Sequence, residues 1–341
     1  MSDSLPIPEF FIPNRVGDVW RVPYEQRANQ AQTWAQKHGV QPADTDITRL
    51  CVLAIDVQNT FCIPGFELFV GGKSGQGAVD DTRRLCEFVY RNLGQITEIV
   101  PTMDTHRAVQ IFHAAFWVDV NGQRPAPMTM VELDDVRSGR WRVNPAIVSN
   151  LKVPLDQLQA FAVHYVKRLS EDGKYPLTVW PYHSMLGGIG HSLVPAFEEA
   201  CFFHNLARQC QTRFELKGSN PLTENYSVLR PEVLDDPDGQ PVAKKNHELI
   251  QHLLSFDVVA IAGQAKSHCV AWTIDDLLSE IQQIDAALTS KIYLLEDCSS
   301  PVVVPGVVNF SAAADAAYQR FADAGMNIIQ STSPLSTWLP H

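Results

Sequence analysis

The chain has 341 residues, 45% of them hydrophobic, and a formal net charge of -11 at pH 7. This length and composition suffice for a large buried core, in one large domain or in two smaller ones. The acidic balance argues against a nucleic-acid partner, because phosphate contacts need clustered lysine and arginine. No apolar stretch reaches the roughly 18 residues that a bilayer crossing requires, so we expect no membrane contact.

The cysteines indicate a reducing compartment. There are seven of them, an odd number, and none has Cys-x-x-Cys spacing. This usage is typical of free thiols, so we expect a cytoplasmic protein. The first eleven residues have no basic region followed by an apolar run, and they do not predict a signal peptide.

Hydrophobic patterning predicts the fold class. Short β-branched runs alternate with amphipathic segments, which is typical of a parallel sheet covered by helices on both faces. Strands are predicted near residues 50–56, 98–103, 177–180, 212–217, 257–262, 291–296 and 326–329. Helices are predicted at residues 80–91, 154–171, 190–210, 247–255, 270–284 and 311–324. We therefore expect an α/β three-layer sandwich with a mostly parallel, doubly wound, Rossmann-like sheet.

Two stretches exceed what this sheet needs. Residues 1–46 are expected to form an N-terminal arm with one helix at about 24–38, and residues 47–341 a single domain. The arm carries five large aromatic residues, so we expect it to pack on the rest of the chain or on another subunit. Residues 116–177 are expected to be a large insertion that begins and ends at the rim of a cleft, where a lid can restrict which substrate enters.

The first predicted strand ends in a carboxylate. The apolar run of residues 50–55 leads directly to Asp56, and open α/β sheets bind their ligands at the carboxyl ends of the strands. Asp56 can act there as a general base for a thiol. An isolated acid at a strand end is more typical of a solvated charge.

Two later strand ends carry a lysine and a cysteine. Lys217 ends an alternating polar and apolar run, where it can lower the pKa of a thiol and stabilise negative charge. Cys269 follows the apolar run 258–261 across a turn of small residues and precedes a predicted helix. A thiol beside helix N–H groups is well placed as a nucleophile. A structural cysteine of the core is the alternative.

Together these residues resemble the Asp-Lys-Cys triad of the isochorismatase-like cysteine hydrolases, and among them most closely the nicotinamidases. The family's Asp-x-Gln-x-x-Phe motif is matched by Asp56, Gln58 and Phe61. Its Gly-x-Ala-x-x-x-Cys-Val-x-x-Thr motif is matched by Gly263, Ala265, Cys269, Val270 and Thr273. The chain departs from the family at Ser267, because family members commonly have an acidic residue two positions before the cysteine.

The resemblance also implies a metal site. Asp104 and His106 match an Asp-x-His motif, and His183 ends a Trp-Pro-x-His motif. Two imidazoles and one carboxylate suit Zn²⁺, with Fe²⁺ or Mn²⁺ as alternatives. His113 stays open as a further ligand, because some family members have an extra histidine shortly after Asp-x-His. Six other histidines are interpreted as scattered surface residues: His164, His191, His204, His247, His252 and His341.

Three aromatic residues correspond to the family's substrate pocket. The resemblance implies that Phe61, Trp180 and Tyr226 contact the substrate, and aromatic faces bind a flat heteroaromatic amide by stacking. Core packing is the alternative, which Phe61 satisfies more easily than Trp180 does. We expect the partners to be a small-molecule amide and further copies of the chain in a homo-oligomer.

The implied activity is that of a metal-assisted cysteine amidohydrolase. It would hydrolyse nicotinamide or a related small amide to the acid and ammonia through a Cys269 thioester. The resemblance implies an oxyanion hole of the backbone N–H groups of Ala265 and Cys269, and a cis peptide between Gln264 and Ala265. The alternatives are an isochorismatase-type hydrolase of another substrate and a non-catalytic binding descendant of the fold.

Overall fold

The computed structural model describes residues 4–338. Residues 1–3 of the predicted N-terminal arm lie outside this range. So do residues 339–341 of the predicted domain, which include His341. The strands are β1 Leu50–Ile55, β2 Ile96–Asp104, β3 Trp117–Val118, β4 Met130–Val131, β5 Arg142–Val143, β6 Leu177–Thr178, β7 Glu215–Lys217, β8 Val258–Gly263, β9 Ile292–Leu295, β10 Val303–Val304, β11 Val308–Asn309 and β12 Asn327–Ile329.

Helices account for most of the remaining regular structure. They are α1 Tyr24–His38, α2 Asn59–Cys62, α3 Gly77–Arg91, α4 Leu133–Arg137, α5 Val148–Leu151, α6 Leu155–Glu171, α7 Pro195–Arg208, α8 His247–Leu254, α9 Ala271–Ile284 and α10 Ser311–Asp323. None of the helices within residues 4–338 has the length and apolar character that a bilayer crossing needs.

A parallel six-stranded sheet forms the centre of the molecule, in the order β12-β9-β8-β1-β2-β7. All six residues of β1 are buried. Its even-numbered residues belong to the apolar cluster formed with α1, α3 and α7, and its odd-numbered residues to the cluster formed with α8, α9 and α10. Successive side chains of a strand point to opposite faces, so these two clusters lie on the two sides of the sheet. The predicted three-layer α/β sandwich is confirmed.

The register of the sheet brings four strand ends together. β2 pairs with β7 so that Asp104 lies beside Lys217, and β1 pairs with β8 so that Ile55 lies beside Gly263. All these strands are parallel, so their carboxyl ends meet at one edge of the sheet. The residues that follow each strand therefore converge on one place.

The stretch of residues 116–177 contains small sheets of its own. β3 pairs antiparallel with β5, and β4 pairs antiparallel with β6. The strand predicted at 177–180 is thus shorter than expected and does not join the parallel sheet, because Val131 and Met130 are its partners. Leu158, Phe161 and Tyr165 of α6 belong to the same apolar cluster as β1 and α9. This stretch is therefore part of the main core.

The N-terminal segment packs on α3 and α7. The ring of Phe10 lies 5.9 Å from that of Tyr90 and 5.1 Å from that of Phe203. Arg27 of α1 forms a buried ion pair with Glu199 of α7, with Nε 2.7 Å from Oε1. The aromatic side chains of this segment thus contact the chain's own core.

One of the histidines assigned to the surface is buried. His204 of α7 is fully enclosed. Its Nε2–H donates to Ile96 O at 2.9 Å, and Nδ1 lies 3.5 Å from Cys210 Sγ. The surface assignment of His204 was wrong because one polar residue on a helix does not reveal whether the strand beneath it offers an acceptor.

Candidate active site

Lys217 lies at the centre of the predicted catalytic residues. Its Nζ is 3.0 Å from Asp56 Oδ2, 3.0 Å from Asp104 Oδ1 and 3.7 Å from Cys269 Sγ. It also donates to Asn225 O at 2.8 Å. The side chains of Lys217, Asp56, Asp104 and Cys269 are all buried. The three residues of the predicted triad therefore meet at the carboxyl edge of the sheet, although they lie on three different strand ends.

Thr102 holds Asp56 in place at the end of β1. Asp56 has a φ of 49°, and its backbone N–H donates to Thr102 Oγ1 at 3.0 Å. The Thr102 hydroxyl donates in turn to Asp56 Oδ1 at 2.5 Å. Burial raises the pKa of Asp56, while the charge of Lys217 opposes that rise. The second carboxylate oxygen remains directed at the ammonium.

Cys269 lies in a turn between β8 and α9. Lys266–Val270 form one turn of π-helix, and the peptide bond between Gln264 and Ala265 is cis, as expected. The turn begins at Gly263, which has a φ of 116° and where a Cβ would lie 2.0 Å from Ile55 O. Only glycine fits this close approach of the two strands.

The protonation state of Cys269 differs from the expectation for an activated thiol. Burial raises the pKa of Cys269 well above its usual value, and the lowering effect of Lys217 does not compensate for it. Lys217 itself stays charged: burial lowers its pKa, but Asp104 and Asp56 together hold that pKa well above the usual value. The sulfur therefore rests as a thiol, and a base must remove its proton.

Three imidazoles lie together beside this group. The ligand atoms of His106, His113 and His183 are within 4.8 Å of one another. Each Nδ1 lies near a backbone carbonyl oxygen. His106 Nδ1 is 3.2 Å from His183 O, His113 Nδ1 is 3.1 Å from Arg107 O, and His183 Nδ1 is 2.8 Å from Pro181 O. An Nδ1–H that donates to a carbonyl leaves the lone pair on Nε2, the arrangement found in metal-binding histidines.

Asp104 completes the group of possible ligands. Its Oδ1 is 3.0 Å from His106 Nε2, and its Oδ2 is 3.6 Å from His183 Nε2. Although burial raises the pKa of Asp104, His106 and Lys217 hold it well below the usual value. The predicted set of Asp104, His106 and His183 is thus brought together as an ionised carboxylate and two imidazoles.

The residues present fit a divalent metal ion. Within the described part of the chain, His113 Nε2 is buried without a hydrogen-bond partner. Burial, with His183 and His106 nearby, lowers the pKa of His113 to about 3, which keeps the ring neutral. At Gly218, a Cβ would lie 2.7 Å from Asp104 Oδ1 and 2.9 Å from His106 Nε2. Three imidazoles, one carboxylate and this clearance suit Zn²⁺, Fe²⁺ or Mn²⁺.

A cavity of about 260 Å³ opens onto these groups. The predicted substrate residues Phe61, Trp180 and Tyr226 all line it, as do Ala265 and Cys269. Trp180 Nε1–H donates to the Tyr226 hydroxyl at 3.1 Å. A flat ring can therefore lie among aromatic side chains while a carbonyl group faces the sulfur.

Several further residues of the cavity had no predicted role, among them Glu224, His268 and Met128. Glu224 and His268 are buried in its wall, and Met128 comes from the stretch 116–177. The ring of His268 lies between those of Tyr175, at 4.9 Å, and Phe310, at 4.7 Å. The sequence signal for His268 was its place directly before Cys269, and the signal for Glu224 was its place as the acidic residue of the family's acidic-x-Tyr-Ser stretch, which ends in Tyr226 and Ser227. For Met128 there was none.

No protein-family model matches the chain, and no curated protein sequence matches it. Solved structures do. The Acinetobacter baumanii nicotinamidase and pyrazinamidase is 18% identical with a TM-score of 0.50, over 84% of this chain and 98% of that one. The yeast nicotinamidase bound to the inhibitor nicotinaldehyde is 17% identical with a TM-score of 0.50, over 82% of this chain and 99% of that one.

The chain has the fold of the nicotinamidases. This confirms the isochorismatase-like fold that the sequence resemblance implied. At 18% identity the likeness establishes the fold alone, and the chemistry has to be argued from the residues of this chain.

Proposed function

We propose that this protein is a metal-assisted cysteine amidohydrolase that hydrolyses nicotinamide or a related small amide to the acid and ammonia. One observation carries the proposal: the Lys217 ammonium lies within 3.7 Å of Asp56, Asp104 and Cys269. These groups adjoin a cavity with three imidazoles in or beside its wall. A thiol, a base and metal ligands are thereby available to one small molecule.

Asp56 is the general base in this proposal. It accepts the proton of Cys269 as the sulfur attacks the amide carbon, and a tetrahedral oxyanion forms. The backbone N–H groups of Ala265 and Cys269 hold this oxyanion. When the intermediate collapses, the C–N bond breaks and Asp56 gives its proton to the departing ammonia.

The second half of the reaction uses the same groups. Asp56 accepts a proton from water, whose oxygen attacks the thioester carbon, and the C–S bond breaks to release the acid. The sulfur recovers its proton from Asp56. Lys217 remains charged throughout, so it stabilises the negative charge that passes between Asp56 and Cys269.

Asp104, His106, His113 and His183 are the proposed ligands of the metal ion, and Zn²⁺ is the ion we propose. When bound, such an ion supplies Lewis-acid character and a coordination position for a substrate nitrogen or water. The side chains themselves supply the orientation, since the carbonyl oxygens behind each Nδ1 fix the three rings.

Ammonia release tests the proposal. Protein stripped with a chelator and then loaded with Zn²⁺, Mn²⁺ or Fe²⁺ is incubated with nicotinamide, pyrazinamide, benzamide and aliphatic amides. We expect ammonia from at least one ring amide with loaded protein, and a loss of at least about tenfold after stripping. Folded, metal-loaded protein that releases no ammonia from any of these amides would contradict the proposed activity.

A further inference from the structure

The outer part of the cavity is built from three apolar segments. They are residues 66–70 after α2, Met128, and residues 302–304, which lead into the β10–β11 hairpin. Their side chains are apolar except for Glu67, which is exposed and accepts a hydrogen bond from Thr60 at 3.0 Å. Apart from Val70, these residues are more exposed than Phe61, Trp180 and Tyr226, so they form the outer part of the cavity, where a substituent on the substrate can lie.

Backbone hydrogen bonds tie each segment to the catalytic part of the cavity. Val70 N–H donates to Phe61 O at 2.8 Å, and Met128 N–H donates to Val179 O at 2.6 Å. Val302 N–H donates to Ser267 Oγ at 3.0 Å. The acceptors are Phe61 itself and the neighbours of Trp180 and His268. The outer walls are therefore held at fixed positions relative to the site, and a preformed wall reduces the ordering cost of binding.

The side chains that line the cavity include acidic groups but no lysine or arginine within residues 4–338. Three carboxyl groups line the cavity, from Glu67, Asp104 and Glu224, but burial raises the pKa of Glu224 well above its usual value, so this group is uncharged near neutral pH. Lys217 lies behind Asp104 and Cys269 and already pairs with two carboxylates. At the segments 66–70, Met128 and 302–304, away from the proposed metal ligands, a carboxylate on the substrate would find no lysine or arginine. An apolar wall without a cation should bind a carboxylate more weakly than an uncharged apolar group.

The volume of the cavity also exceeds a single small ring. At about 30 Å³ for each water molecule in the liquid, about 260 Å³ corresponds to the volume of roughly nine waters. Nicotinamide has nine heavy atoms joined by covalent bonds, so its volume is smaller than that of nine separate water molecules. Space for a substituent therefore remains in the cavity.

We propose that the substrate is an uncharged primary amide whose end opposite the amide carries an apolar group, and that this group lies between residues 66–70, Met128 and residues 302–304. This inference rests on the proposed amidohydrolase function and names its substrate class. Amides that carry a carboxylate at that end are disfavoured, because these apolar segments offer it no lysine or arginine.

Three ligands that share the benzamide group and differ at the para position test the substrate class: benzamide, 4-butylbenzamide and 4-carbamoylbenzoate. Binding to metal-loaded Cys269→Ala protein is measured by calorimetry, and ammonia release is measured with the unmodified protein. We expect 4-butylbenzamide to bind at least tenfold more tightly than benzamide, and 4-carbamoylbenzoate at least tenfold more weakly. The same order should hold for kcat/KM. Equal affinities, or tighter binding of the carboxylate, would overturn the inference.

A pair of variants on one hairpin locates the apolar group. Val303 lines the cavity, whereas Val307 on the same hairpin is 64% exposed and does not. Val303→Glu should bring the affinity ratio of 4-butylbenzamide to benzamide close to one. Val307→Glu should leave that ratio within twofold of the parent. Equal effects of the two variants on the ratio would contradict the placement.

The two proposals fail in different ways. If the ligands bind in the expected order but no ammonia appears, the amidohydrolase activity is contradicted and the ligand class of the cavity stands. If benzamide is hydrolysed without any advantage for 4-butylbenzamide, the activity stands and the substrate class is wrong.

Discussion

At the scale of single residues, one buried cation compensates two buried carboxylates. Lys217 is almost wholly enclosed and pairs with both Asp56 and Asp104 at 3.0 Å. Charges in such a place are costly unless they are paired. The pairing keeps Asp104 ionised and available to a metal ion, and it leaves Asp56 beside the thiol. The expected role of Asp104 as a metal ligand and that of Asp56 as a base both depend on the Lys217 ammonium.

The pH dependence of activity should show the raised pKa of Asp56. Protonated Asp56 cannot accept the thiol proton, so kcat/KM should fall as the pH drops through that raised pKa. The acid limb should therefore lie above the ordinary aspartate value of about 4. Asp56→Asn should lower kcat/KM by at least about a hundredfold, whereas Asp238→Asn on an exposed turn should not change it. An acid limb at or below the ordinary value would contradict the assignment of Asp56 as base.

His113 should contribute to metal affinity. Its neutral Nε2 is buried beside those of His106 and His183, so His113→Ala removes one ligand and should weaken Zn²⁺ binding by at least about tenfold. Competition with a chromophoric chelator measures the affinity. His247→Ala, an exposed position on α8, serves as the control. Unchanged affinity in His113→Ala would remove this residue from the site.

At the scale of elements, the segments outside the central sheet are parts of the core. Excision of residues 120–172 would remove apolar residues of the main cluster, including Phe161 and Tyr165, and would uncover the residues packed against them. Such a variant would test folding before it tested substrate access. The contribution of this stretch to the cavity comes through Met128, so a point substitution there is the sharper test of a lid.

The N-terminal segment should stabilise the fold through its buried ion pair. Arg27→Met leaves Glu199 buried without its partner, which should lower the free energy of unfolding by about 3 kcal/mol. The pair of Arg15 and Asp18 is about half exposed, so Arg15→Met should change it by less than about 1 kcal/mol. Denaturant titration of both variants measures this difference. Equal decreases in the free energy of unfolding would show that the buried pair of Arg27 and Glu199 stabilises the fold no more than the exposed pair does.

The sequence predicted the elements with strong periodicity and the residues at their ends. β1, β2, β7 and β8 were expected from apolar or alternating runs, and Asp56, Asp104, Lys217 and Cys269 follow because parallel strands end at one edge. Properties that depend on distant contacts were not predictable. The strand at Leu177–Thr178 has its partner in β4, forty-six residues earlier. The raised pKa of Cys269 depends on enclosure by several segments, which no local pattern shows.

At the scale of the whole molecule, a buried histidine makes stability depend on pH. Burial lowers the pKa of His204 from 6.5 to about 4. The unfolded chain therefore takes up a proton below about 6.5, and the folded chain takes it up only near 4. The contribution of His204 is fully present above 6.5, is lost progressively as the pH falls from 6.5 to about 4, and changes no further below that.

This dependence can be measured by unfolding between pH 7 and pH 4. His204→Gln should flatten the decline in the free energy of unfolding over that interval by up to about 3 kcal/mol. His247→Gln, at an exposed position, should follow the parent protein. A His204→Gln protein with the same decline as its parent would show that this histidine is not the group that titrates.

The proposed mechanism depends on Cys269 as the nucleophile of the amide hydrolysis, and ammonia release by metal-loaded Cys269→Ala protein shows whether the sulfur is needed. Cys210→Ala, a half-buried cysteine outside the cavity, is the matched control. We predict a loss of at least about a thousandfold for Cys269→Ala, with unchanged circular dichroism and metal content, and a rate within twofold of the parent for Cys210→Ala. Activity of the Cys269→Ala protein within tenfold of the parent would contradict the thioester mechanism.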